Sequence, residues 1–494
     1  MDQSSDERNL LRDLRSLVAR LNEMPDERAA RVTPLGERIN AHLGVNAASL
    51  PLVRESIPSH RLVDVDLALE ELAAADPRAE LLGIEGGQER QHEDFAGLLR
   101  HRFSTFSPDG PVEYQTSATG FGTSRQTVTA GIRLLHFHDK PVAVLQRGAA
   151  RMFGRENAEL DILTDDPATT AAVVEHLRRR MNELSVVRGN IVTFAKSDDH
   201  DRVGRMVFLE RPGVAAADVV LPAGLLTRVR DHVVGIGENA DALRGLGQHL
   251  KRGLLLYGPP GTGKTLTVRH LLRETPGTTA VLLQGMTLGA VGEAVRLARA
   301  MTPSIVVLED VDLVASDRMM FGGPQPLLFE ILDALDGLDG DADVAFVLTT
   351  NRAEILEPAL AARPGRIDLA VEVPLPDATA RRELFRIYGS GVDLSADALD
   401  AAADRADGVT ASFAKELIRR VVLRAAVADR TPTDADLDAA LTEMMEAAEG
   451  IAHVLFGGRA AAGVAPAEPA GESSMVAWSP GGAAAFTAGE SNQD

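Results

Sequence analysis

Residues 258–265, Gly-Pro-Pro-Gly-Thr-Gly-Lys-Thr, have the composition of a loop that binds a phosphate chain. An apolar run precedes them at residues 254–257, and residues with helical spacing follow. Strand, glycine-rich loop and helix, in that order, are the context that a P-loop requires. Glycines let backbone N–H groups converge on phosphate oxygens, and the helix N-terminus adds its dipole. We predict that the nucleotide-binding residues are Gly258, Pro259, Pro260, Gly261, Thr262, Gly263, Lys264, Thr265 and Leu266.

The last two residues of this loop supply a cation and a hydroxyl. The ammonium group of Lys264 can reach the β- and γ-phosphates of a nucleotide, and the hydroxyl of Thr265 can ligate Mg²⁺. A chance glycine-rich turn is a poor alternative, because both the motif and its context match. The sequence therefore predicts that ATP binds here together with Mg²⁺.

Two carboxylates follow a second apolar run. Residues 305–308 are typical of a buried parallel strand, and Glu309 and Asp310 come directly after them. Ligands of α/β folds bind at the carboxyl ends of such strands. One carboxylate can hold the Mg²⁺ shell, for which we expect Glu309, and the other can orient or activate the attacking water. A third run, residues 344–348, leads to Asn351, whose amide can polarise a water beside the γ-phosphate.

The order of these motifs resembles that of the AAA ATPase family. The P-loop, the acidic strand end, Thr-Asn-Arg at residues 350–352 and Ala-Arg-Pro-Gly-Arg-Ile-Asp at residues 362–368 occur in the family's order. Pro-Leu-Pro-Asp at residues 374–377 is similar to the strand that leads into the family's helical lid. The resemblance covers residues from about 218 to 457, and its motifs are specific in combination.

This resemblance implies an ATP-hydrolysing ring, usually a hexamer, with nucleotide bound between subunits. It implies that Lys264 and Thr265 hold phosphate and Mg²⁺, and that Asn351 is the sensor residue. Arg363 and Arg366 are similar to the arginine fingers that reach into a neighbour's site, where a guanidinium stabilises transition-state charge. Without the family match, a surface ion pair would be the simpler interpretation of either arginine.

Two further segments resemble the family's contacts to the nucleotide base. Val219 and Val220 lie upstream of the P-loop, where the adenine-contacting segment occurs, although Leu221 replaces the usual glycine. In the lid, Ala411 and Ser412 stand where the family usually has Gly and Ala near the base and ribose. Such small side chains still permit a close approach of the backbone.

The acidic pair is reversed relative to the usual Asp-Glu of the family. If Asp310 activates water, its carboxylate is one methylene shorter, and a displacement of about 1 Å can cost about a hundredfold in rate. A reversed pair also occurs in the mitochondrial translocase branch that inserts a folded iron–sulfur protein. The reversal therefore does not imply inactivity, but it leaves the roles of Glu309 and Asp310 open.

The segment at the family's central pore also departs from the pattern. Family members that thread unfolded polypeptide usually carry an aromatic residue before Val-Gly-Glu, and here Ala290 holds that position. A methyl group cannot grip a passing chain as an aromatic ring can. Residues 321–324, Phe-Gly-Gly-Pro, can form a second pore-facing loop or an ordinary surface turn.

Composition excludes several classes of function. The 494 residues carry a net charge of −21 with no basic run, which argues against a nucleic-acid partner. The absence of cysteine excludes disulfides and thiolate metal sites. No apolar run approaches the length of a membrane span, and the polar N-terminus is not a signal peptide. We therefore expect a cytoplasmic location.

The fold class predicted is α/β, with a P-loop AAA module of parallel sheet and flanking helices, and with a small helical lid. We expect residues 1–105 to form a helical N-terminal segment and residues 106–212 an α/β N-terminal binding domain. Strands at residues 190–194 and 205–209 are expected to complete that binding domain. The large nucleotide-binding domain, the lid and a disordered tail are predicted at residues 213–376, 377–457 and 458–494.

Together these features predict an ATP-hydrolysing AAA ring protein that remodels or translocates protein substrates. The N-terminal domain would recruit the protein substrate, and copies of the chain would assemble as a homo-oligomeric ring. The alternative is a slow ATP-dependent scaffold or switch, which the reversed carboxylates and the missing pore aromatic favour. A protease is disfavoured, because the chain has no nucleophile motif and no His-Glu-x-x-His.

Overall fold

The computed structural model describes residues 31–195, 205–312, 341–352 and 367–456, with side chains described as far as residue 447. Along the chain, an N-terminal sheet is followed by a second sheet, which we call the nucleotide sheet, and then by a helical lid. The predicted α/β class, with a parallel sheet and flanking helices, is confirmed.

The N-terminal sheet and its helices occupy residues 31–183. The strands are β1 (Arg31–Val32), β2 (Val53–Ile57), β3 (Glu80–Leu82), β4 (Arg100–His101), β5 (Glu113–Gly120), β6 (Thr123–Phe137), β7 (Lys140–Arg147) and β8 (Ala158–Leu163). The helices are α1 (Pro34–Leu43), α2 (Leu62–Ala74), α3 (Phe95–Leu99) and α4 (Pro167–Glu183), with single 3₁₀ turns at Ala47–Ser49, Ser59–Arg61, Gly87–Gln91 and Arg151–Phe153.

This antiparallel sheet is covered by helices on both faces. Its strand order is β2-β8-β7-β6-β3, β5 pairs with the first half of β6, and β1 and β4 form a separate pair. Because side chains alternate along a strand, Leu135 and Val144 face α2 and α4, whereas Ile132 and Leu145 face α1 and α3. Both sets are buried, so the sheet is the middle layer of three.

We expected a helical N-terminal segment, but its described part also contains strands. Within residues 31–105, strand β2 pairs with β8 and strand β3 pairs with β6, so this segment supplies part of the sheet. Both strands are short and partly exposed, and neither has the continuous apolar run that marks a buried strand. Residues 1–30 of the predicted segment lie outside the described residues.

The nucleotide sheet has seven strands in the order β10-β9-β12-β13-β14-β11-β15. They are β9 (Ile191–Phe194), β10 (Met206–Leu209), β11 (Arg252–Tyr257), β12 (Thr279–Gln284), β13 (Ser304–Glu309), β14 (Val344–Thr350) and β15 (Leu369–Glu372). All neighbouring pairs are parallel except β10 with β9.

Helices cover both faces of this sheet. They are α5 (Leu225–Arg230), which continues through a π-helical turn at Asp231–Gly235 into α6 (Ile236–Glu238), then α7 (Ala240–Gly245), α8 (Lys264–Glu274) and α9 (Val291–Ala300). Two 3₁₀ turns lie at Ala216–Asp218 and Gly285–Ala290. Residues of α5 and α8 pack on one face, and residues of α9 pack on the other.

The hairpin of β9 and β10 belongs to the nucleotide sheet and not to the N-terminal sheet, where we expected it. Ile191 pairs in parallel with Ala280 of β12, and β10 forms the outer edge. The sequence of a short apolar strand does not indicate which sheet the strand joins, because the interior of either sheet would bury both of its faces. The nucleotide sheet therefore extends across the boundary predicted at residue 212.

The connection from α4 to β9 is held by a buried carboxylate. Asp64 of α2 accepts hydrogen bonds from the Ser185 hydroxyl (2.9 Å) and the Val186 N–H (3.0 Å), and Arg61 pairs with it at 3.0 Å. On the other side, Arg188 donates to the carbonyl of Thr302, at the start of the chain leading to β13 (2.9 Å). These contacts tie the two sheets together.

Four helices form the lid, namely α10 (Ala378–Gly389), α11 (Ala396–Arg405), α12 (Ala411–Val427) and α13 (Asp434–Phe456). Asp377, Ser395 and Thr410 cap the first three by accepting backbone N–H groups, which would otherwise lack partners. Their buried faces share one apolar core.

We predict that the core between β10 and α9 stabilises the nucleotide sheet. Replacing the buried ring in Phe208→Ala should lower the free energy of unfolding by about 3–5 kcal/mol. The matched control Val207→Ala, on the exposed side of the same strand, should cost at most about 1 kcal/mol. Urea denaturation of both variants measures the difference, and equal losses would contradict the assignment of β10 to this sheet.

Candidate functional site

The strand order brings the predicted catalytic segments to one edge of the nucleotide sheet. The P-loop follows β11, Asn351 follows β14, and Glu309 ends β13, with β14 lying between the other two strands. Tyr257 is in register with Thr350, and Leu308 with Leu348, so all three strands end at the same level. The site thus lies at the carboxyl ends of parallel strands, where α/β folds bind their ligands.

Positive φ angles make glycine necessary in the loop. Gly258, Gly261 and Gly263 have φ angles of 140°, 78° and 109°. A Cβ atom on Gly258 would also lie 2.3 Å from the carbonyl oxygen of Val373. No heavy atom lies within 4 Å of a Cβ built on Gly263, directly before the first residue of α8. The loop therefore opens at a helix N-terminus, as a phosphate site requires.

Lys264 lies over this loop. Its ammonium group donates to the carbonyl oxygens of Gly258 (2.7 Å) and Pro259 (2.8 Å). Burial lowers the pKa of Lys264, and the charges of Asp310 and Asp312 oppose that shift. A largely desolvated cation beside two carboxylates suits a site for a highly charged anion with a divalent metal.

Glu309 and Thr265 form the predicted metal pair. Glu309 is 8% exposed, and its side chain is hydrogen-bonded to that of Thr265. Burial raises the pKa of Glu309, and the neighbouring charge of Asp310 raises it further. Carboxylate and hydroxyl oxygens are suitable ligands for Mg²⁺, which usually takes only one or two protein carboxylates and keeps several waters. The residues present fit that ion.

Asp310 contacts Thr349 of β14 and Asn351, which directly follows this strand. Its N–H donates to the Thr349 hydroxyl (3.0 Å), and its Oδ1 accepts from the amide Nδ2 of Asn351 (3.2 Å). Its φ of 51° lies in the left-handed region, which is uncommon outside glycine, asparagine and aspartate. The predicted sensor and the second carboxylate are therefore in direct contact, and the backbone turns between Glu309 and Asp310.

A third carboxylate, Asp312, supports this arrangement and was missed in the sequence. It is 4% exposed and accepts hydrogen bonds from the Thr350 hydroxyl (2.9 Å) and the Asn351 N–H (3.0 Å). It thereby fixes the backbone that presents Asn351. The sequence signal that could have identified Asp312 is its position as a further acidic residue, two positions beyond the acidic pair.

The predicted base-contacting residues meet at the lid. Val220 and Ala411 both pack against the lid core, and Val219 is buried nearby in sequence. The N–H of Ser412 donates to the carbonyl of Gly261 (3.2 Å), so the start of α12 contacts the P-loop directly. Leu266 is half-buried in the first turn of α8. Arg363 and Arg366 lie outside the described residues.

The position of the missing pore aromatic lies in the apolar core. Residues Gly285–Ala290 form one 3₁₀ turn directly after β12, and Leu288 and Ala290 pack in the same core as Phe208. Ala290 is only 7% exposed, whereas Met286 in this turn is 67% exposed. The second candidate pore segment, residues 321–324, lies outside the described residues.

Within the described ranges, no cluster of three or more His, Cys, Asp or Glu side chains could hold a metal by itself. Magnesium bound with a nucleotide does not require one, since phosphate oxygens and waters complete its shell. Among the helices of the same ranges, none has the length and hydropathy of a membrane span.

Strand order, P-loop and acidic strand end together define a P-loop α/β nucleotide-binding protein. Residues 254–375 match the family model described as "ATPase family associated with various cellular activities (AAA)". This part of the chain is therefore an AAA ATPase domain, as predicted.

Several curated relatives are similar to this chain. It is 31% identical over 264 residues to the proteasome-activating nucleotidase of Saccharolobus solfataricus, covering 47% of this chain and 66% of the relative. Identity to that of Methanococcus vannielii is 32% over 275 residues, covering 51% and 66%. Identity to the 26S proteasome regulatory subunit 4 homolog B of Arabidopsis thaliana is 40% over 159 residues, covering 30% and 36%. The chain thus spans at most 66% of the length of these relatives.

We predict a pH dependence that originates at Glu309. Because burial raises its pKa, Mg²⁺ must displace a proton from this carboxyl at a higher pH than from an ordinary glutamate, whose pKa is about 4.3. Lowering the pH through that range should therefore weaken Mg²⁺-dependent ATP binding. Titration with a fluorescent ATP analogue at several pH values measures the affinity. The part of its pH dependence that comes from Glu309 should be lost in Glu309→Gln. An identical pH profile in the variant would contradict the prediction.

Proposed function

We propose that this chain is an ATPase that forms a ring and uses Mg-ATP to remodel protein substrates. One observation carries the proposal: the P-loop, the Glu309–Thr265 pair and the Asp310–Asn351 pair lie at one edge of the nucleotide sheet. Each pair joins segments that are distant in the chain and that perform separate parts of ATP hydrolysis. The AAA family match over residues 254–375 supports it.

In this proposal the loop and its metal pair bind the substrate. Backbone N–H groups of residues 258–265 and the ammonium of Lys264 hold the β- and γ-phosphates. Thr265 and Glu309 would hold Mg²⁺, which would neutralise negative charge on the phosphates. Val219, Val220 and Ala411 contact the base, since they border the lid beside the P-loop.

The second carboxylate then acts on water. Asp310 shares a hydrogen bond with Asn351, so the two side chains can hold one water between a carboxylate and an amide. Glu309 cannot serve equally well, because it is buried against Thr265. This division assigns the metal to Glu309 and the attacking water to Asp310, despite the reversed order of the pair.

The ring and its client are inferred from the family. Arg363 and Arg366 would reach into the neighbouring subunit's site of a hexamer, which ties hydrolysis to assembly. The relatives are named for activating the proteasome or as its regulatory subunits, and we extend only action on protein substrates to this chain. The N-terminal sheet would recruit the substrate. We place the protein in the cytoplasm, which accords with its lack of cysteine.

A slow switch is the second candidate, and the Asp310 geometry favours it. The Asp310 N–H donates to Thr349, and the shorter carboxylate accepts from Asn351, which limits how far Asp310 can move toward a water. The buried Ala290 also offers no grip for a threaded chain. In such a switch, ATP binding would control assembly and partner binding while turnover stays very slow.

We predict that Asp310→Asn lowers the steady-state rate of ATP hydrolysis by about 10²–10⁴-fold, because an amide cannot accept the proton of water. ATP affinity should remain near that of the wild type, since Asp310 is not assigned to the metal. The control Asp341→Asn alters an exposed carboxylate and should leave both quantities unchanged. If Glu309→Gln lost turnover but kept its Mg²⁺ affinity, the roles of Glu309 at the metal and Asp310 at the water would have to be exchanged. Negligible turnover in the wild type would favour the switch.

Arg363→Ala should abolish the rise of ATPase rate with protein concentration, with a loss of about 10³-fold or more at saturation. Mixing these subunits with Asp310→Asn subunits should restore part of the activity. In such mixed rings, the intact Asp310 site of an Arg363→Ala subunit can lie beside the intact Arg363 of an Asp310→Asn subunit. Arg244→Ala, on the exposed helix α7, is the control. An absence of recovery in the mixture would argue against an arginine acting between subunits.

A further inference from the structure

A cavity of about 780 Å³ lies between the N-terminal sheet and the outer edge of the nucleotide sheet. Its walls come from β5, from the turn at Ser59–Arg61, from β10 and from α9. None of the predicted nucleotide-binding or catalytic residues in the described ranges lines it. Its volume falls within the range of about 300–1,000 Å³ that is usual for ligand sites.

Two strand edges border this cavity. Residues 115–118 of β5 and residues 206 and 208 of β10 line it. Among the described strands, β5 pairs only with β6, so its other edge has no strand partner, and β10 approaches β5 without pairing with it. Alternate residues of an antiparallel edge direct N–H and C=O groups outward, which is a template for a further strand. Four residues of β5 provide about 13 Å of such an edge.

The floor between these edges is apolar. Met206 and Phe208 are buried with side chains in the core that also contains α9, and Ala118 of β5 packs against that core. An extended segment lying along β5 would therefore direct every second side chain toward an apolar surface. Small or β-branched side chains suit such positions.

Arginines surround the opening. Arg151, Arg205 and Arg296 line the cavity, and Arg151 and Arg205 are both exposed. Neither of these two has a side-chain hydrogen bond or ion pair within the described part of the chain. Glu156 and Glu293 also line the cavity, but Glu293 is already engaged by Arg296 and by His60 at 3.4 Å. In a chain with a net charge of −21, this set of guanidinium groups favours an acidic ligand.

We propose that this cavity binds an extended acidic segment of a partner protein, which adds as a strand to β5 and pairs its carboxylates with Arg151 and Arg205. Main-chain hydrogen bonds to the edge would provide affinity, and alternate side chains would provide specificity. The bound segment would touch both the N-terminal sheet and α9. This interaction needs no nucleotide turnover, so it stands or fails separately from the proposed function.

The test uses three fluorescein-labelled octapeptides and the full chain. The first peptide, Thr-Glu-Val-Glu-Thr-Glu-Val-Glu, alternates β-branched and acidic residues. The second has lysine in place of each glutamate, and the third is the acidic peptide N-methylated at alternate residues. Fluorescence anisotropy measures each Kd in wild type, in Arg151→Glu/Arg205→Glu, and in the control Arg244→Glu/Arg273→Glu, which changes charge equally on exposed helices of the nucleotide domain.

The proposal expects the acidic peptide to bind at least about tenfold more tightly than the other two peptides. Its Kd should rise about tenfold or more in Arg151→Glu/Arg205→Glu and stay unchanged in the control. Equal binding of the lysine peptide, equal binding of the N-methylated peptide, or an unchanged Kd in the first double variant would each overturn it. So would a failure of the acidic peptide to bind wild type at about 1 mM. Thermal unfolding of both double variants verifies that they are folded.

Discussion

The parallel pairing of β14 with β13 on one side and β11 on the other is the constraint on which the site depends. Two adjacent threonines at the end of β14 hold both neighbouring aspartates: Thr349 accepts from the Asp310 N–H, and Thr350 donates to Asp312. If β14 shifted by one residue in register, both contacts would be lost together, because side chains alternate between faces. The positions of Asp310 and Asp312 are therefore determined by sheet register more than by loop conformation.

The parts of this chain that sequence reasoning predicted well are those whose chemistry is local. A P-loop is contiguous, and its glycines are required by their own backbone angles, so Gly258 and Gly263 identify it without tertiary information. The acidic strand end is similar, because a buried parallel strand is a continuous apolar run. The AAA ATPase domain that these motifs predicted is confirmed over residues 254–375. The individual roles of the predicted site residues remain predictions.

The parts that were missed depend on long-range pairing. Ile191–Phe194 has the composition of any buried strand, and only the pairing with β12 shows that it extends the nucleotide sheet. The role of Asp312 likewise follows from contacts with β14, which are distant in the chain. At Ala290, the Val-Gly-Glu match indicated a pore loop, yet the hairpin of β9 and β10 covers that position with apolar side chains. Local similarity could not reveal this burial.

The short connection between α4 and β9 has a mechanical consequence. Seven residues separate the two elements, and Asp64 and Thr302 hold this stretch from both sides. An N-terminal domain on a long flexible linker would reorient freely and would transmit no force. Here any displacement of the β9 edge during a nucleotide cycle must carry the N-terminal sheet with it as a lever.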